Sequence, residues 1–194
     1  MKIVAGLGNP GLTYRKSRHN AGFRALDTLA GKAGLIMIKR RFNGIWGEKT
    51  IAGERVLFIK PQTYMNASGD CLQEFARFYK VAPEDILILY DDIDLPLGSI
   101  RIRSGGSAGT HNGMRSVVNC LGSQQMPRIR IGVGRCDPGE DLKDFVLRKP
   151  TPAEQEAINK ACDDAAEAAY LILTGHLSDA QARFNHKHEG ADRG

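Results

Sequence analysis

A histidine, an aspartate and three asparagines have the residue types and positions that could form a chemical site. Asn9 and His19 flank the loop that follows the first apolar run of the chain, and Asp91 follows a second apolar run. Asn66 and Asn112 stand at the beginnings of two predicted helices. Imidazole and carboxylate groups can accept and orient protons, and a side-chain amide can both donate and accept hydrogen bonds. These residue types together indicate proton-transfer chemistry on a polar substrate.

Each of these residues also has a purely structural explanation. Asn66 and Asn112 could cap their helices, because asparagine is a preferred capping residue. Asn9, which precedes a proline, could form a turn, and His19 could satisfy a local backbone group. Asp91 is one of several carboxylates in its loop. The functional interpretation is favoured because all five are expected at one edge of one sheet, where open α/β proteins bind ligands.

The segment GLGNPG, residues 6–11, matches the dinucleotide-binding pattern G-x-G-x-x-G. In that motif the third glycine opens a helix whose free N–H groups hold the pyrophosphate. Here the apolar spacing of a helix begins only near Asn20, well after the third glycine. Asp27 stands at the distance typical of a ribose-binding carboxylate, but it falls inside that helix. The sequence therefore disfavours nucleotide binding.

A second glycine-rich segment, GGSAG at 105–109, matches the G-x-S-x-G pattern of serine esterases. A nucleophilic serine needs a tight turn directly between a strand and a helix. Ser107 instead lies within a long glycine-rich loop. A serine esterase that uses Ser107 remains an alternative, with its acidic and basic partners to be sought downstream among Asp137, Asp141, Asp144 and His176.

The elements that must position these residues alternate along the chain. Apolar or alternating runs predict strands at 2–6, 86–90, 99–103 and 128–134, and a hairpin at 45–51 and 55–60. Helical spacing, often ended by glycine, predicts helices at 21–34, 68–80, 111–122 and 152–175, with a short helical piece after them. This order predicts an α/β fold with a twisted mixed β-sheet, whose central strands are parallel and which helices flank.

Length and composition predict one domain over residues 1–185, followed by a polar tail at 186–194 that we expect to be disordered. The chain lacks the apolar run of a signal peptide or of a membrane span. Four cysteines without a C-x-x-C pair indicate free thiols in a reducing compartment, so we expect a cytoplasmic protein. No metal-ligand spacing is present, and no metal or other cofactor is expected.

The formal net charge of +5 includes basic clusters at 39–41, 101–103 and 128–130. Such clusters are typical of surfaces that bind a polyanion, although a solvated basic surface is the simpler explanation of charge alone. Arg103 is the best candidate for a phosphate contact, because it enters the glycine-rich loop beside the predicted site. Arg128 and Arg130 are weaker candidates, since alternate residues of a strand share a face and can simply be solvated.

Four blocks of the sequence resemble the signature blocks of the bacterial peptidyl-tRNA hydrolase family. They are GLGNPG with the later RHNAG, KPQTYMNASG, DDIDLPLG and SAGTHNGMRS, and they occur in the family's order. The runs RIRIGVGR and DFVL continue the resemblance towards the carboxyl terminus. Each block alone is a weak signal, but the set together is specific.

The resemblance implies a single α/β domain that hydrolyses the ester between a peptide and tRNA, with no cofactor. It implies that His19 is the catalytic base, that Asp91 orients it, and that Asn9 helps to distinguish N-blocked from free aminoacyl-tRNA. The implied partner is peptidyl-tRNA, at its acceptor stem and 3′ end; no protein partner is implied, and a monomer is expected. The same matching carries over as substrate contacts Tyr14, Tyr64, Met65, Asn66, His111 and Asn112.

Some positions depart from the family's usual residues. Tyr64 replaces a phenylalanine, Tyr90 a histidine, Thr110 a glycine and Cys136 a proline. Thr110 matters most, because it stiffens a glycine-rich loop that we expect to form a mobile rim over the site or, alternatively, a structural turn. We expect the segment CDPGEDLKDFVL to form a lid in a similar way. A further alternative is an RNA-binding module of the same fold that has lost hydrolysis.

Overall fold

A computed structural model describes residues 1–185 of the chain. Its strands are β1 (Lys2–Gly6), β2 (Lys39–Arg41), β3 (Gly44–Ile51), β4 (Glu54–Pro61), β5 (Ile86–Asp92), β6 (Ile100–Arg103) and β7 (Arg128–Gly132). Its helices are α1 (Ala21–Lys32), α2 (Ser68–Tyr79), α3 (Asn112–Leu121), α4 (Leu142–Leu147), α5 (Pro152–Leu173) and α6 (Leu177–Asn185). The predicted tail at 186–194 lies outside the described residues.

The seven strands form one mixed sheet in the order β2-β3-β4-β1-β5-β7-β6. The four central strands, β4, β1, β5 and β7, run parallel to one another. The outer strands β3, β2 and β6 are antiparallel to their neighbours. The predicted fold class is therefore confirmed. Among residues 1–185, no helix has the length and apolar character to cross a membrane.

Helices cover both faces of the sheet, and β1 shows why its residues form a continuous apolar run. Val4 packs into the core that contains α1, α5 and α6. Ile3 and Ala5, which point the other way in a strand, pack into the core that contains α2 and α3. A strand buried on both faces has no exposed side on which polar residues could alternate.

The glycines of GLGNPG allow α1 to pack closely on β1. A β-carbon at Gly6 would lie 2.3 Å from the carbonyl oxygen of Gly22 in α1, and one at Gly8 would lie 2.7 Å from the ring of Phe23. Asp27, the residue considered for a ribose, forms an ion pair with Lys60 at 2.6 Å. The pattern thus serves strand-to-helix packing, in agreement with the sequence argument against a nucleotide site.

Two short elements were not predicted from the sequence. Strand β2 has only three residues, all exposed, and it exists because it pairs with β3 at the edge of the sheet. Helix α4 has six residues, and its start is stabilised by Asp141, whose carboxylate accepts from two backbone N–H groups. Both are too short for a periodic pattern, and both depend on contacts that form only in the folded chain.

Candidate active site

A cleft of about 990 Å³ opens at the carboxyl ends of the central strands. Asn9 lies beyond the end of β1 and Tyr64 beyond the end of β4. Asp91 is the second-last residue of β5. The structure places in the wall of this cleft every candidate site residue of the sequence analysis: Asn9, Tyr14, His19, Tyr64, Met65, Asn66, Asp91, Arg103, His111 and Asn112.

The centre of the cleft is a pair formed by His19 and Asp91. His19 lies in a 3₁₀ turn at 18–20, and its Nδ1 is 2.9 Å from both carboxylate oxygens of Asp91. The side chain of Asp91 is 1% exposed and that of His19 is 14% exposed. Since a carboxylate can only accept, Nδ1 carries the proton, and Nε2 of the neutral ring keeps a free lone pair.

His111 supplies a second donor to the same carboxylate. Its Nε2 is 3.0 Å from Oδ1 of Asp91, and its Nδ1 accepts from the backbone N–H of Met114 at 3.1 Å. His111 is therefore the N-cap of α3, and the cap fixes the tautomer that donates to Asp91. Both ring nitrogens are engaged within the protein. The prediction that His111 contacts substrate stays a prediction.

The buried pair shifts the pKa of both of its members. Burial lowers the pKa of His19, but the charge of Asp91 and the hydrogen bond to it outweigh burial and raise the pKa above its ordinary value of 6.5. Burial opposes ionisation of Asp91, but the two histidines beside it hold its pKa well below the usual range. Asp91 is therefore an anion at neutral pH, and a proton on His19 is stabilised.

Asn9 is held rigidly in one orientation. Its Oδ1 accepts from the backbone N–H of Met65 at 2.7 Å, so its NH₂ group is the part free to donate. The side chain of Asn20 bonds both backbone groups of Asn9, at 2.8 and 2.9 Å. Asn20 was not among the residues predicted from the sequence, although its place beside His19 in the RHNAG block was a signal for it.

The remaining asparagines do not cap helices. The residue that caps α3 is His111, while α2 follows a 3₁₀ turn at 65–67 and has no side-chain cap. The alternative that Asn66 and Asn112 are only caps is therefore wrong. Both are exposed in the wall of the cleft.

Two tyrosines form the rim of the cleft near Asn9. Tyr14 and Tyr64 pack edge to face, with ring centroids 6.4 Å apart. Tyr64 has a φ of 59°, which is uncommon for a residue other than glycine, and it is half exposed. Residues with such unfavourable backbone angles often occur at binding sites, where the surrounding structure holds a side chain in a required direction.

Elsewhere in the cleft wall, the three candidate arginines differ in their contacts: within residues 1–185, Arg103 has no ion pair or side-chain hydrogen bond, and the other two are engaged. Arg103 is exposed in the wall of the cleft. Arg130 forms an ion pair with Asp92. Arg128 is buried and donates to the backbone oxygens of Met126, Ser107 and Gln124. Its interpretation as a solvated residue is wrong, because its guanidinium is buried and bonded to the backbone. Its contact with a phosphate stays a prediction.

Ser107 also lines the cleft, but its surroundings differ from those of an activated nucleophile. Ser107 accepts a hydrogen bond from Arg128 through its backbone oxygen, at 3.0 Å. Over residues 1–185, no hydrogen bond joins its hydroxyl to a histidine, as a nucleophilic serine requires.

Helix α4 forms a wall of the cleft. From the sequence, the segment that contains it was expected to be a lid. Leu142, Lys143, Val146 and Leu147 face the cavity. Phe145 and Val146 are buried. The helix therefore packs on the domain while it lines the site.

One group of side chains has the composition of a metal site. Within the described part of the chain, ligand atoms of His19, Asp91 and His111 lie within 4.8 Å of one another. The hydrogen bonds among the three account for this grouping, because both histidines donate protons to one carboxylate. The expectation of a metal-free site stays a prediction.

Fold and site together define the class of the protein: an α/β protein with a histidine–carboxylate pair of the kind used in hydrolysis, set at the carboxyl edge of a single sheet. Comparison with known proteins gives the family. A model of the peptidyl-tRNA hydrolase family matches residues 3–191. The chain belongs to the peptidyl-tRNA hydrolase family, which confirms the resemblance seen in the sequence motifs.

Individual relatives agree with this assignment. The chain is 50% identical to the peptidyl-tRNA hydrolase of Carboxydothermus hydrogenoformans over 185 residues, which cover 95% of this chain and 98% of that protein. It is 46% identical to that of Brevibacillus brevis, over 95% of this chain and 98% of the relative. The crystal structure of the Acinetobacter baumannii peptidyl-tRNA hydrolase superimposes with a TM-score of 0.90 at 38% identity, and covers 96% of this chain and 95% of that one.

Proposed function

We propose that this protein hydrolyses the ester that joins a peptide, or an N-blocked aminoacyl group, to the 3′ end of tRNA. The observation that carries the proposal is the His19–Asp91 pair, with Nδ1 2.9 Å from both oxygens of a buried carboxylate. This bond leaves Nε2 of His19 as a base in a cleft large enough for the acceptor end of a nucleic acid and a peptide. Membership of the family supports this substrate.

The proposed reaction needs neither a metal nor a covalent intermediate, because an ester is already reactive towards water. Nε2 of His19 takes a proton from a water molecule as its oxygen attacks the ester carbonyl carbon. Asp91 stabilises the imidazolium that forms. When the tetrahedral intermediate collapses, the imidazolium returns the proton to the ribose oxygen, so that free tRNA and a peptide carboxylic acid leave.

The asparagines supply neutral donors around the reacting carbonyl group. Because Oδ1 of Asn9 is occupied by Met65, its NH₂ group donates to a substrate oxygen. Exposed amides of Asn66 and Asn112 can donate to the oxyanion or accept from the peptide N–H. A free amino group is charged and lacks the carbonyl oxygen of an N-blocked residue, so this arrangement favours blocked substrates.

His111 is proposed to orient the carboxylate rather than to react. Its bond to Asp91 and its cap bond to Met114 hold the carboxylate through the oxygen Oδ1, which His19 also contacts. Two donors share one anion, which lowers the carboxylate's tendency to take a proton from His19 itself.

The substrate proposal is tested with purified protein and two substrates, N-acetyl-aminoacyl-tRNA and free aminoacyl-tRNA. We expect hydrolysis of the first and far slower hydrolysis of the second. Ser107→Ala is expected to keep the wild-type rate, because the serine is not activated by a base in the described structure. Loss of activity in this variant would instead support the serine esterase, and tRNA binding without any hydrolysis would support the RNA-binding module.

Arg103 is proposed to contact a phosphate of the tRNA. Each phosphate contact adds about 0.7–0.9 to the slope of log K against log salt, so Arg103→Ala should reduce this slope by about 1. The measurement is tRNA binding at several salt concentrations. Arg101→Ala is the matched control, because Arg101 lies on the same strand but does not line the cleft. An equal slope in the wild type and Arg103→Ala would remove Arg103 from the contact.

Three finer points remain part of the proposal: contact with the acceptor stem, a monomeric state and a cytoplasmic location. Arg103 and the glycine-rich loop beside the cleft support the first. Four free cysteines agree with a reducing compartment. We also propose that residues 1–185 are the functional domain, since every candidate site residue lies within them.

A further inference from the structure

Arg18, the neighbour of His19 in the chain, has an unusual environment for an arginine. Its side chain is 1% exposed, and it is among the largest fully buried side chains of the described residues. Burying a charged group is unfavourable unless its partners compensate for lost hydration. The partners of Arg18 therefore indicate what this residue does.

Those partners all belong to the segment that contains α4 and the start of α5. The guanidinium of Arg18 lies 4.4 Å from the ring centroid of Phe145 in α4. Its Nη1 donates to the backbone oxygen of Arg148, which directly follows α4, at 3.4 Å. Its Nη2 lies 2.7 Å from Oε1 of Glu154, in the first turn of α5. One side chain thus connects the turn of His19 to elements about 130 residues later in the chain.

Glu154 is itself fixed, so the ion pair has a rigid anchor. Its Oε2 accepts from the backbone N–H of Thr151 at 2.7 Å, and Thr151 accepts from Glu154 in return, which forms a capping box. The edge of the Arg18 guanidinium therefore bonds to Glu154, and its face packs on the ring of Phe145. Arginine makes both contacts with one planar group, whose face stacks on the ring while its edge bonds to the carboxylate; the ammonium of lysine has no plane to stack.

Helix α4 is the element that this arrangement holds. Its residues Leu142, Val146 and Leu147 line the same cleft as His19. The helix has only six residues, which is too short to be stable without tertiary contacts. A contact that fixes α4 relative to the turn at 18–20 also fixes the width of the cleft beside His19.

We propose that Arg18 is a positioning residue that holds α4 in place as the wall of the cleft next to His19. This inference rests on the proposed function for its effect on substrate, but its structural part is independent of it. Without the guanidinium plane, α4 opens more often, so the side chains that enclose the substrate are in place for a smaller fraction of the time. The His19–Asp91 pair is left intact, because none of the Arg18 contacts involves it.

The test compares Arg18→Lys with the wild type in two measurements. Lysine keeps the positive charge beside Glu154, so the variant is expected to fold, but it loses the planar contact with Phe145. We expect faster amide hydrogen exchange in residues 142–147. With N-acetyl-aminoacyl-tRNA we expect KM to rise about tenfold, while kcat and the acid limb of the pH profile stay as in the wild type.

Two further variants make the test specific. Phe145→Leu removes the other side of the contact, and its effect on KM should not add to that of Arg18→Lys, because both remove one interaction. Arg183→Lys is the matched control: Arg183 pairs with Glu167 at 2.7 Å and lies 5.1 Å from the ring of Phe184, but it is on α6 and does not line the cleft. We expect wild-type KM and wild-type exchange of α4 in this control.

Unchanged exchange at 142–147 in Arg18→Lys would overturn the proposal. So would faster exchange spread evenly over the whole domain, which would mean a general loss of stability, and so would a fall in kcat at constant KM. If the wild-type protein fails to hydrolyse peptidyl-tRNA, the proposed function is lost, and the exchange measurement still decides whether Arg18 holds α4.

Discussion

Replacing His19 by asparagine is expected to lower kcat by on the order of 10³-fold, within the range that general-base catalysis contributes. Asparagine has no group that can take a proton from water, but its NH₂ group can still donate to Asp91. The local structure and the affinity for tRNA should therefore be retained. Steady-state hydrolysis of N-acetyl-aminoacyl-tRNA gives kcat, and direct titration with tRNA gives the affinity.

The control for this experiment is His176→Asn. His176 is exposed and contacts Thr174 after α5, away from the cleft. We expect this variant to have the wild-type kcat. A His19→Asn protein that folds, binds tRNA and still turns over at near the wild-type rate would contradict the assignment of His19 as the base.

The second large effect is expected for Asp91→Asn. The loss of a carboxylate that orients a catalytic histidine costs about 10⁴ in kcat in the serine protease triad, and we expect a loss of on the order of 10³ to 10⁴ here. The amide cannot stabilise the imidazolium as an anion does. Its NH₂ group also competes with the N–H groups of His19 and His111, which both donate at this position in the wild type.

The pH profile separates this explanation from simple misfolding. His19 must be neutral to act as a base, so the wild-type rate should rise with pH through a pKa above 6.5, where the charge of Asp91 places it. Asp91→Asn removes that charge and leaves burial, which lowers the pKa. The acid limb of the residual activity should therefore move to lower pH, below 6.5.

Asp94→Asn serves as the control for the pH measurement. Asp94 lies in the same acidic segment and lines the cleft, but within residues 1–185 it forms no ion pair with either histidine. Its loss should leave the acid limb where it is in the wild type. An acid limb that stays in place in Asp91→Asn would contradict the proposed coupling between Asp91 and His19.

The sequence predicted that the loop carrying His19 and the residue Asp91 lie at the same edge of the sheet, because this placement depends on one rule of sheet geometry. β1 and β5 are buried apolar runs, and they are parallel neighbours in the sheet. The residues that follow them must therefore emerge at the same edge, although 72 positions separate the two side chains. The alternation of strands and helices predicted this shared edge, whereas the pairing of His19 with Asp91 was implied by the resemblance to the family.

Other features depend on contacts that no local pattern encodes. Arg128 looks like its neighbour Arg130 in the sequence, but its guanidinium donates to backbone oxygens of two loops, Ser107 in one and Gln124 and Met126 in the other. His111 gives no sign in the sequence that it caps α3 through one nitrogen and holds Asp91 through the other. The role of Arg18 depends on Phe145 and Glu154, which approach it only after the domain has folded.

The close packing of α1 on β1 has a consequence for how this site tolerates change. A β-carbon at Gly22 would lie 2.3 Å from the carbonyl oxygen of Leu89 and 2.6 Å from that of Leu7. A single methyl group there would push the beginning of the helix away from the sheet, and the imidazole three residues earlier would move with it. A position with no functional group of its own thus sets the alignment of His19 with Asp91, and a search for reactive side chains alone would overlook it.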